Sequence, residues 1–117
     1  MTKITALLVG AYATFVSLGT IAAEAPSGKE LYQTYCTQCH GVSGDGWGLN
    51  TRDIAVLPRD HTEKAEMSAR TDADLFKAIK HGGSAVNKSN LMPNWDANMT
   101  DAEIQKLVDY LRRISTE

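Results

Sequence analysis

The sequence has no run of alternating β-branched residues, no internal repeat, no low-complexity segment and no excess of positive charge. The first absence removes sheets and sets the fold class at all-α. The next two, in a chain of 117 residues, leave room for one domain. The last, a formal net charge of −2, makes nucleic acid an unsuitable partner. Potential metal ligands are scarce too, with two cysteines and three histidines. A closed zinc site needs four ligands at paired spacing, and His61 and His81 stand alone, so both read as solvated loop residues.

Charge is missing altogether from Ile4 to Ile21, in the opening MTKITALLVGAYATFVSLGTIAAEAPSG. Lys3 precedes this run, and the small residues Ala22 and Ala23 follow it as the last residues before cleavage. Residues 1–23 therefore read as an export signal, and residues 24–117 as the folded domain. The alternative is an uncleaved anchor, although Gly10, Gly19 and four Ser or Thr residues dilute the run. Taking Lys3 from the 12 basic residues leaves 11 against 14 acidic, a net charge of −3. A mature chain of roughly 94 residues is marginal for a core of side chains alone, so a staple or cofactor would help.

Three helices announce themselves by their starts. Ser27 with Glu30, Thr71 with Asp74 and Thr100 with Glu103 each place a hydroxyl three residues before a carboxylate, the signature of a capping box. The spacing predicts a first helix over Gly28–Cys39 with Leu31, Tyr32 and Tyr35 on one stripe. A second runs over Asp72–Lys80, with Leu75, Phe76 and Ile79 inward and Gly82-Gly83 ending it. A third starts at Asp101 and carries Ile104, Leu107, Val108, Leu111 and Ile114, with Arg112 and Arg113 at its negative end. A short helical turn over Glu63–Ala69 is the fourth element. Residues 41–62 and 82–99 form two long connections, and loops of that length are usually functional.

The chemistry sits in YCTQCHG, residues 35–41, where Cys36, Cys39 and His40 fall together. A thioredoxin-like pair expects a neighbouring strand, and none is indicated. Cys-x-x-Cys-His is the attachment pattern of haem c. Two thiols at the end of one helix can add to the two vinyl groups along one side of a porphyrin, and the next residue then carries an imidazole to the iron. The sixth ligand should come from the far loop, where LMPNW offers Met92 with Pro93 stiffening the backbone beside it. A neutral thioether there raises the potential relative to a second histidine. Met99 is the rival ligand, but it precedes the cap Thr100, where a staple contact with Ile104 is role enough. Met67 lies in the weaker fourth element.

With these residues in hand, the chain resembles a class I c-type cytochrome of the small bacterial kind. GKELYQTYCTQCHG (28–41), TDADLFKAIKHGG (71–83), LMPNW (91–95) and TDAEIQKLVDYLRR (100–113) carry the likeness, which covers about residues 27–114. The resemblance implies three main helices and a short one wrapped around a single haem bound through Cys36 and Cys39. It implies that the terminal helices cross, with Gly28 and Tyr32 against Leu107 and Tyr110. It also implies a proline carbonyl accepting from His40, a role for which Pro58 is available. Trp47 and Trp95 could donate to a haem propionate, and Arg52, Arg59 and Lys88 could pair with one; for each, packing or a solvated charge is an adequate role.

Iron held by both His40 and Met92 has no open site, which points to outer-sphere electron transfer rather than catalysis. The expected protein is an exported monomer of the bacterial periplasm serving redox protein partners, a membrane-bound oxidoreductase among them. Lys77, Lys80 and Lys88 form an acid-free stretch that could steer an acidic partner. Three alternatives stay open: a haem subunit or tethered donor of a larger oxidoreductase, a gas-binding or sensor cytochrome with a labile Met92, and a haem-free thiol oxidoreductase.

Overall fold

The computed structural model describes residues 23–117, so the expected export signal lies, but for Ala23, outside the described residues. Five α-helices follow in order: α1 (Gly28–Tyr35), α2 (Thr37–His40), α3 (Lys64–Ser68), α4 (Asp72–His81) and α5 (Asp101–Ile114). Tight 3₁₀ turns at Leu49–Arg52 and Gly83–Val86 interrupt the two long connections. Among the described residues there is no strand, and no helix is long and apolar enough to cross a membrane.

All three capping boxes form. The Ser27, Thr71 and Thr100 hydroxyls accept from the backbone N–H of Glu30, Asp74 and Glu103, whose carboxylates bond back to the cap N–H. The first helix departs from expectation by breaking at Cys36, where the backbone opens to φ −111° before α2 begins. Around this break the Thr34 and Thr37 hydroxyls donate to the carbonyls of Glu30 and Gln33, four residues back, at 2.8 and 3.1 Å. Such back-bonding bends and weakens a helix.

The core gathers Leu31 and Tyr32 of α1, Met67 of α3, Leu75 and Ile79 of α4, Met99, and Ile104, Leu107, Val108 and Leu111 of α5. Close approach of α1 to α5 depends on Gly28. A Cβ there would stand 2.0 Å from the Lys106 carbonyl oxygen and 3.0 Å from the Tyr110 Cβ. Tyr32 then packs its ring 5.3 Å from that of Tyr110, so the expected crossing is present. Arg112 does more than complement a helix dipole. It pairs with Asp72 at 2.7 Å and donates to the carbonyls of Met67 and Arg70 at 2.6 and 2.5 Å, clamping the α3–α4 corner onto α5.

Candidate functional site

The break at Cys36 sets up the site, because it starts a separate turn that carries Cys39 and His40. Cys36 and Cys39 are free, half-buried thiols. Burial, with Cys39 close by, pushes the Cys36 thiol up to about 12. A thiol-exchange enzyme needs a stabilised thiolate, so this environment is wrong for redox cycling of the sulfur.

His40 is buried, and its Nδ1 lies 2.9 Å from the Arg59 carbonyl oxygen. A carbonyl can only accept, so Nδ1 carries the proton and Nε2 keeps its lone pair. Burial is the main cause that lowers the pKa of His40, with the Arg59 charge adding to it against the carbonyl contact. The ring is thus a neutral donor with one nitrogen engaged and the other available, as metal-ligating histidines commonly are.

The acceptor is Arg59, not Pro58 as the family resemblance implied. Pro58's own carbonyl is turned onto Gly46, where an added Cβ would meet it at 2.8 Å, and the next carbonyl in line faces the imidazole. Residues 41–62 form a strap whose register is fixed by single backbone bonds. Gly46 N–H donates to the His40 carbonyl at 2.9 Å, Gly48 N–H to that of Cys39 at 3.0 Å, and His61 N–H to that of Gly44 at 2.6 Å.

That last bond overturns the reading of His61 as a solvated residue. His61 is only 8% exposed. Its ring stacks on that of His40 with centroids 4.3 Å apart and planes at 20°. Its Nδ1 lies 3.5 Å from the Tyr32 hydroxyl, which donates to the Gly41 carbonyl at 3.3 Å. Burial first, then the neighbouring His40 and Arg59, depress its pKa well below the ordinary histidine value. Nothing periodic marks this residue in RDHT; only the pairing of Gly44 with His61 brings it inside. His81, by contrast, is exposed as expected.

The second loop is anchored on the end of α4. Gly82 adopts φ +82°, a conformation that favours glycine. Gly83 N–H donates to the Met92 carbonyl at 3.1 Å, and a Cβ on Gly83 would stand 2.1 Å from the Ser89 carbonyl oxygen. Beyond Met92, Trp95 N–H donates to the Ile79 carbonyl at 3.1 Å, and the indole packs 5.2 Å from the Tyr35 ring, next to Cys36. The glycine pair that ends α4 therefore also seats the Met92 loop, a role that its helix-stopping character concealed. Met92 is half-buried against the core, whereas Met99 and Met67 are 5% and 0% exposed within it.

The side chains of the other expected participants face solvent or are paired. Trp47 is 68% exposed, as Arg52 and Lys88 are also exposed. Arg59 pairs with Glu66. Lys80 is tied to Asp101 at 2.7 Å, which removes one charge from the expected lysine patch.

Two free thiols three residues apart, followed by an imidazole with Nδ1 engaged, form the donor set that covalent haem attachment requires. Comparison with known proteins agrees. The family model for cytochrome c oxidase, cbb3-type, subunit III matches residues 23–111. Among solved structures, the KustC0563 c-type cytochrome is similar with a TM-score of 0.62 and 22% identity, over 76% of this chain and 98% of its own. At that identity the likeness speaks for the fold. A chain of the Kuenenia stuttgartiensis reducing HAO-like protein complex Kustc0457/Kustc0458 is similar with a TM-score of 0.59 and 28% identity, over 74% of this chain. The match spans only 40% of that longer chain. No curated protein sequence shows a significant match.

Proposed function

The chain belongs to the cytochrome c oxidase, cbb3-type, subunit III family, and from that premise we propose an exported monohaem carrier that passes single electrons between redox proteins. Its cofactor is haem c, held covalently, and its role is electron transfer. When bound, the haem supplies exchange of one electron between ferric and ferrous iron with no bond made or broken. In this reading Cys36 and Cys39 would form the thioether links, and His40 and Met92 would hold the iron.

The observation that carries the proposal is the state of His40: buried, neutral, with Nδ1 on the Arg59 carbonyl and Nε2 available. The carbonyl fixes the tautomer and makes the imidazole a stronger donor. Met92 is the better second ligand because it is only half-buried on a loop, while Met99 and Met67 are spent on core packing. Burial of the haem among apolar side chains would disfavour the additional charge of the ferric state, in the same direction as a thioether ligand. Export to the periplasm rests on the charge-free stretch after Lys3.

Redox titration of the purified protein, followed by its visible spectrum, tests this reading. We expect reversible one-electron behaviour, an absorption band from sulfur–iron ligation, and haem retained after denaturation. A colourless preparation from cells able to mature such proteins would overturn it. A second reading, a haem subunit or donor domain of a larger oxidoreductase, is favoured by the likeness to part of a longer chain from a multiprotein complex. Stoichiometric co-purification with another redox protein would select it.

A further inference from the structure

The Arg59 carbonyl holds one nitrogen of His40 at 2.9 Å, but a single hydrogen bond restrains only loosely the rocking of the imidazole about its Cβ–Cγ bond, a torsion with broad minima. A flat face against the ring restricts that motion, and the His61 imidazole supplies one at 4.3 Å and 20°. His61 is itself held. Its N–H donates to the Gly44 carbonyl at 2.6 Å, and its ring meets the Tyr32 ring edge-on at 5.9 Å and 71°. The Tyr32 hydroxyl, 3.3 Å from the Gly41 carbonyl, also lies 3.5 Å from His61 Nδ1, which ties that edge of the imidazole to the same phenol. Tyr32 in turn packs against Tyr110 where α1 crosses α5. A continuous line of rings thus runs from the rigid crossing to the imidazole of His40.

We infer that His61 is a positioning residue that sets the ring plane of His40 through this stack. The inference rests on the reading of His40 as an axial ligand. The orientation of an axial imidazole plane controls how unpaired spin spreads over a ferric porphyrin, so the haem-methyl proton shifts and the g-values report it directly.

Two variants of the loaded protein separate the flat face from mere bulk. His61→Phe keeps a planar ring, and His61→Leu keeps an apolar side chain without one. We expect His61→Phe to retain the wild-type order and spread of the haem-methyl shifts. In His61→Leu the order should change or the spread shrink by a third or more, with covalent haem and the sulfur–iron band intact. An unaltered pattern in His61→Leu, or an equal change in both variants, would overturn the inference. Cross-relaxation between the ring protons of His40 and His61 in the unmodified protein is a second measurement, independent of how the variants fold. Its presence supports the stack, and its absence refutes it. Loss of covalent haem or of the sulfur–iron band in the unmodified protein would overturn the site reading together with the inference, and the visible spectrum distinguishes that result.

Discussion

Where α1 meets α5, many apolar side chains share the task of holding the helices, and the contact is limited by one glycine beneath a carbonyl. The strap over His40 and the loop carrying Met92 are held differently. Their shape depends on individual backbone bonds, such as Gly46 to His40, His61 to Gly44 and Gly83 to Met92. Damage to the crossing should therefore appear as lost stability of the whole domain. Damage to a loop should appear at the iron and leave most of the fold standing.

The two methionines on either side of Trp95 offer the strongest test. Met99→Ala empties a buried core position and should cost about 2–5 kcal/mol in urea unfolding while the sulfur–iron band persists. Met92→Ala should keep covalent haem but lose that band, with a lowered potential and iron open to external ligands. Loss of the band in Met99→Ala and its retention in Met92→Ala would reverse the ligand assignment. The glycines make a second pair. At both Gly28 and Gly83 an added Cβ would collide with a backbone carbonyl, at 2.0 and 2.1 Å. Gly28→Ala should cost about 3 kcal/mol of global stability, the upper part of the usual overpacking range. Gly83→Ala should cost less than about 1 kcal/mol globally, because the loop can open by itself, yet weaken the sulfur–iron band. Equal unfolding midpoints for the two variants would erase the distinction between the regions.

A smaller effect belongs to acid. Bonds from the Ser27, Thr71 and Thr100 caps hold Glu30, Asp74 and Glu103 below their ordinary values of 4.5, 3.8 and 4.5. A carboxylate with a depressed folded pKa stabilises the fold above its unfolded pKa, and that stability is lost as pH falls through the folded value. The melting temperature should thus be flat in these groups' contribution above about pH 5 and decline below it. Glu30→Gln and Glu103→Gln should flatten that decline. The smallest effect is expected for the Lys80–Asp101 pair, which links α4 to the start of α5 with side chains 28% and 66% exposed. A double-mutant cycle should give at most about 1 kcal/mol, shrinking further in added salt.

The same division governs what could be read in advance. Capping boxes and the apolar stripe of α5 are local patterns, and Ser27, Thr71 and Thr100 all cap where their spacing says they should. Cys36, Cys39 and His40 stand out because their chemistry requires neighbours in sequence. The break at Cys36 was hidden, since two threonine back-bonds leave no trace in the apolar period. His61 was misread for a related reason: a lone histidine between Asp60 and Thr62 has the composition of a solvated turn, and its burial depends on a bond to Gly44, seventeen positions earlier. The exchange of Pro58 for Arg59 as acceptor has the same origin, because a strap's register is a tertiary property. Arg112 was placed correctly at the end of α5, but its three contacts reach a corner about forty residues away.

The latch between Gly83 and Met92 turns the residues between them into a detour whose entry and exit are fastened together. Methionine's address is consequently set at one glycine, whose N–H and carbonyl both hold the detour. Lys88 N–H also donates to the Gly83 carbonyl at 2.9 Å, so the same glycine pins the excursion at its midpoint as well as at its exit. Lengthening the chain at Asn87 and Lys88 would release one of the two bonds that this post makes, and the sulfur would drift with it.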